Sequence, residues 1–184
     1  IRTTGANVTL VADEMTFVSG NAQLGVNAGA AIVVLKSLNT ESVDLGSTAT
    51  TVDNVPELSA AEMTEISAAG GSIVIGSDAD ATNVTATSLS LSADVDFTTS
   101  NVLLASTGSI TSTDVANEVN VNNGTSGAGA LTFQAGGSIG AAGTAFGLEV
   151  ATVSASAGTS DDLIEIVDIA GDLSVDRVTI GSTN

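Results

Sequence analysis

The sequence predicts an all-β fold, a parallel β-helix (β-solenoid) forming a single domain over residues 1–184. Three observations predict it: apolar residues alternate with polar ones along short segments, Gly, Ser, Asn and Asp separate those segments, and a Gly-Ser-Ile unit recurs. The alternation is clearest over Leu89-Ser90-Leu91-Ser92-Ala93-Asp94-Val95-Asp96-Phe97. Side chains alternate across a strand, so such a segment has one apolar face and one face of Ser and Asp.

Taken in order, Val8-Thr9-Leu10 is the first alternating segment. The apolar run from Ala28 to Leu35, interrupted by Gly29 and ended by Lys36, reads as a buried strand. It is far shorter than the roughly 20 residues of a membrane span. Val119-Asn120-Val121, Leu131-Thr132-Phe133, Leu148-Glu149-Val150 and Val178-Thr179-Ile180 continue the pattern, and Asn123-Gly124 reads as a tight turn.

Residues 59–69 break the rule. Ser59 and Glu62 have the spacing of a capping box, and Leu58 and Met63 fall at the hydrophobic-staple positions. Gly70 supplies a left-handed stop. One short helix is therefore predicted near 59–69, leaning on the β-structure through Met63 and Ile66.

Gly-Ser-Ile begins at Gly71, Gly108 and Gly137, spacings of 37 and 29 residues. Such spacings fit successive solenoid turns with loops of unequal length. Each turn pairs with the turns above and below, small residues let the chain bend at a corner, and Ile and Leu stack inside. Roughly seven to nine turns at about 4.8 Å each make a rod of about 35–45 Å.

Composition narrows function. There is no His and no Cys, which excludes Ser-His-Asp and Cys-His catalysis and the usual zinc, haem and iron–sulfur sites. Three Lys and Arg against 21 Asp and Glu, a net charge of −18, leave no footprint for nucleic acid or anionic lipid. With no Trp or Tyr there is no stacking platform for sugars or bases. The chain reads as structural, without an enzyme's equipment and without membrane insertion. Apolar residues at 43 % separate it from acidic disordered chains.

Several segments carry a resemblance. Asn7-Val8-Thr9-Leu10-Val11-Ala12-Asp13, Leu58-Ser59-Ala60-Ala61-Glu62-Met63, Gly71-Ser72-Ile73-Val74-Ile75-Gly76-Ser77 and Leu131-Thr132-Phe133-Gln134-Ala135-Gly136-Gly137-Ser138-Ile139 resemble the filamentous-haemagglutinin-like repeats of large secreted bacterial adhesins. The resemblance implies a right-handed parallel β-helix, secretion to the extracellular space or cell surface, a rod shape, and a role in adhesion or in building a biofilm matrix.

Two sets of residues are candidates for function. Calcium takes oxygen ligands, and Asp78, Asp80, Asp94 and Asp96 are the paired carboxylates that would offer them; no other cofactor is expected. The second set is an interface. Both terminal segments read as ordinary interior turns without a cap, so the unit is expected to assemble with itself head-to-tail as a subunit or tandem repeat of an extracellular fibre or adhesin stalk. Arg2, Val8 and Leu10 would form one side of the joint and Arg177, Val178 and Ile180 the other. The alternative is an adhesin passenger module that binds a surface or matrix ligand through its loops.

Overall fold

The computed structural model describes residues 1, 3, 5–13, 15, 17, 26–27, 31–47, 56–68, 70–97, 100–113, 121–122, 129–169 and 173–181. Arg2 and the Asn123-Gly124 turn lie outside them. The elements run β1 (Val8–Val11), β2 (Val26–Asn27), β3 (Ile32–Lys36), β4 (Glu41–Leu45), β5 (Glu57–Leu58), α1 (Ala60–Met63) and β6 (Ile66–Ser67). They continue with β7 (Ser72–Ile75), β8 (Ala86–Leu91), β9 (Val95–Asp96), β10 (Asn101–Ser106), β11 (Ile110–Ser112) and β12 (Val121–Asn122). The last are β13 (Ala130–Ala135), β14 (Phe146–Glu149), β15 (Thr152–Ala157), β16 (Ile166–Asp168) and β17 (Ser174–Ile180). Apart from one turn of helix, the regular structure of the described residues is all β.

Every strand pair between these elements is parallel. A long sheet has the order β1-β3-β7-β10-β13-β15-β17. A second sheet runs β5-β4-β8-β11 and is continued by bridges from Ile110 to Ile139 and from Ile139 to Ile164. A third runs β9-β12-β14-β16, and β2 pairs with β6. From β7 onward the chain visits the long, second and third sheets in that cyclic order and then returns to the long sheet.

The pairing stacks like on like. Val8, Val33, Ile73, Val102, Leu131, Val153 and Val175 are successive partners across the long sheet. Leu10, Leu35, Ile75, Leu104, Phe133, Ala155 and Val178 form the column two residues on. In-register parallel partners share a face, so both columns point into one core. Phe133 and Phe146 meet there edge to face at 5.1 Å, a favoured aromatic geometry.

The recurring unit is found at one corner only twice. Gly137 N–H donates to Gly108 C=O at 3.0 Å and Ile110 pairs with Ile139, so these two copies stack between the long and second sheets. Gly71-Ser72-Ile73 instead enters β7 in the long sheet. The physical requirement at the stacked corner is closeness: a Cβ on Gly136 would run into the carbonyl oxygen of Thr107. The predicted helix is also shorter than expected. α1 ends at Met63 with Thr64 as its C-cap, and Ile66 pairs with Val26 in a strand. Ladder hydrogen bonds and burial of Ile66 outweigh the weak pull of helix propensity here.

Candidate functional site: the two ends of the long sheet

At the first edge, Val8 is buried and Leu10 half-buried. β1, like β17, is a terminal strand of the long sheet. After β4 the chain turns back and β5 pairs on the outer side of β4, Leu58 against Leu45. α1 follows directly. Its capping box is complete: Glu62 N–H donates to Ser59 Oγ at 3.2 Å, and Ser59 N–H donates to Glu62 Oε2 at 2.9 Å. The other oxygen of Glu62 accepts from Phe17 N–H at 2.8 Å, tying the helix to the segment after β1. Pro56, Leu58 and Met63 are buried, and Met15 and Phe17 pack on the core. The capping-box Glu that starts α1 also clamps the first turn.

The last edge differs. β17 is the terminal strand of the long sheet, with no partner on its outer side among the described residues. Val175, Val178 and Ile180 are 58 %, 50 % and 47 % exposed. Register with Val153, Ala155 and Ala157 places all three on the core side. A bulge lets Val175 pair with Val153 and Arg177 with Ser154, leaving Asp176 as the extra residue. Asp176 Oδ2 accepts from Ser154 Oγ at 3.1 Å, and Arg177 Nε donates to Thr179 Oγ1 at 3.2 Å. On the outer face of the same strands lies a groove of about 520 Å³, walled by Thr132, Gln134, Ser154, Ser156, Arg177 and Thr179.

The calcium candidates are divided. Asp78 and Asp80 share one loop and converge on Thr82: Asp78 Oδ1 accepts its N–H at 3.0 Å and Asp80 Oδ1 its hydroxyl at 2.8 Å. Hydrogen bonds donated by the Thr82 hydroxyl and the Thr82 backbone N–H hold the Asp80 carboxyl below the usual carboxylate range. Asp94 and Asp96 flank Val95 at the entry to the third sheet, both exposed. The two pairs do not come together, and among the described residues no three acidic side chains converge.

Other polar side chains tie one turn to the next. Asn7 Oδ1 accepts from Ile32 N–H at 3.1 Å, and Asn101 Oδ1 from Ala130 N–H at 3.0 Å. Asp13 accepts from the backbone N–H groups of Leu38 and Asn39 at 2.9 and 3.0 Å. Asp44 accepts from the hydroxyls of Ser90 and Ser92. The shared pattern Asn-Val-x-Leu at Asn7 and Asn101 was the available signal for the first pair.

Among the described residues no helix is long and apolar enough to cross a membrane. Comparison with protein-family models, with curated proteins and with solved structures returns no match.

Proposed function

We propose that the chain is a structural module of an extracellular fibre or adhesin stalk, built as a right-handed parallel β-solenoid and extended by stacking further β-structure on the β17 edge. The observation that carries this reading is the difference between the terminal strands of the long sheet: inward Val8 of β1 is buried, while β17 leaves three core-side residues about half exposed. The cyclic visits to three parallel sheets support the solenoid, and the strong preference of parallel crossovers for one hand supports right-handedness. In a continuing or tandem chain the joint is head-to-tail, with the next turn laid on β17 in the same direction. A head-to-tail contact does not close on itself and so builds length. The lack of His, Cys, Trp and Tyr favours scaffolding over catalysis.

The test is Val178→Lys, which sets a charge in the stacking column. Self-association of the wild-type chain, measured by sedimentation and electron microscopy, is expected to be lost in this variant while its circular dichroism is kept. A wild type that stays monomeric up to millimolar concentration overturns the reading.

A second reading rests on the outer groove. Its hydroxyls, Gln134 and Arg177 line a polar face on which an adhesin module would hold a surface or matrix ligand.

A further inference from the structure

We infer that, where the β17 edge is free, it pairs with β17 of a second copy in antiparallel fashion about a two-fold axis. This rests on the proposal that β17 is a stacking edge, and it names the partner. The argument begins with the sequence of the strand and its approach, Leu173-Ser174-Val175-Asp176-Arg177-Val178-Thr179-Ile180. Laid antiparallel on itself with the axis between Asp176 and Arg177, it sets Leu173 opposite Ile180, Ser174 opposite Thr179, Val175 opposite Val178, and Asp176 opposite Arg177. Every apolar residue meets an apolar one, every hydroxyl a hydroxyl, and each charge its opposite.

A regular strand cannot use this match. Residues directly opposite must lie on the same face. In a regular strand Val175 and Val178, three apart, would lie on opposite faces. The bulge removes the conflict. Val175 pairs with core-facing Val153 and Val178 with core-facing Ala155, so both point inward. Arg177 pairs with Ser154, whose hydroxyl also binds Asp176, so both charged residues point outward. Ser174 and Thr179 pair with outward Thr152 and Ser156, Ile180 pairs with inward Ala157, and Leu173 packs on the core. The order is in, out, in, out, out, in, out, in, which reads the same from either end. The irregularity that would otherwise spoil an edge strand makes this one self-complementary.

The arrangement also closes the exposed end. Two-fold pairing lays Val175, Val178 and Ile180 of one copy against the same end of the other, and one sheet continues across the joint. Such an interface is isologous and stops at two copies. In β1 the corresponding inward Val8 is already buried.

The experiment uses the 184-residue chain in analytical ultracentrifugation over a concentration series. The wild type is expected to reach a dimer and no further. Arg177→Asp sets like charges opposite one another at both symmetric positions and is expected to weaken dimerisation roughly tenfold or more. The double variant Asp176→Arg with Arg177→Asp reverses both charges, keeps them complementary, and is expected to restore the dimer. The chain has no cysteine, so Ser174→Cys with Thr179→Cys introduces its only thiols, and oxidation should give a covalent dimer. An open series of oligomers, or a charge reversal that fails to restore what Arg177→Asp lost, overturns the two-fold joint and leaves the stacking edge standing. A wild type that remains monomeric overturns both.

Discussion

Val8 and Val175 belong to the same inward column of the long sheet, yet the first is 6 % exposed and the second 58 %. Both lie in terminal strands. At the first end, β5 pairs with β4, and Phe17 N–H donates to Glu62 Oε1. At the last end, no described residue lies over β17. A stack of parallel turns ends in an apolar cross-section unless the chain spends residues to cover it.

The comparison can be broken from its interior outward. The largest effect is expected in the middle of the stack. Phe133→Ala, which removes a fully buried ring and its contact with Phe146, should cost about 3–5 kcal/mol in urea unfolding. Val175→Ala at the open end should cost the monomer below about 1 kcal/mol, because much of that side chain is already in water. Met63→Ala is next. If α1 is a true cover, loss of this buried side chain should cost about 2–5 kcal/mol and expose the first turn to limited proteolysis. An effect no larger than that of Val175→Ala would remove the distinction between the ends.

Ser59→Ala should cost about 1 kcal/mol. Because Glu62 then loses one of its orienting partners, the Phe17 N–H should exchange faster with solvent, as read by NMR. The smallest effect is local. The folded-state pKa of Asp80 is depressed, so the stabilisation linked to it is fully present above the ordinary carboxylate pKa and is lost as pH falls through the depressed value. In an NMR titration the Asp80 carboxyl should titrate below the ordinary carboxylate range, and Thr82→Val should move it upward.

Much of this fold was legible in the residues. Alternation marked Leu89, Leu91 and Val95 as core, and all three are buried. The spacing of Ser59 and Glu62 gave the helix start, and both reciprocal bonds are present. What alternation cannot show is which strand neighbours which. Gly71-Ser72-Ile73 looks like Gly108-Ser109-Ile110, but its place in the stack is fixed by Val33 and Val102 on either side. The extent of the helix failed for a related reason, since Ile66 gains a strand partner from far away in sequence. Of the expected joint, Val178 and Ile180 are half exposed at the last edge, Arg177 lies on its outer face, and at the first edge Val8 is buried and Leu10 half-buried. The face symmetry of Leu173–Ile180 was hidden because it exists only once the bulge at Asp176 is known.

The most direct test of the asymmetry is amide hydrogen exchange resolved to single strands, recorded in dilute and in concentrated solution. In dilute solution β7, β10 and β13 should be the most protected, β1 intermediate and β17 the least. On concentration, protection should rise in β17 and stay unchanged in β1. If β1 exchanges as fast as β17 in dilute solution, the two ends are alike and the account is contradicted.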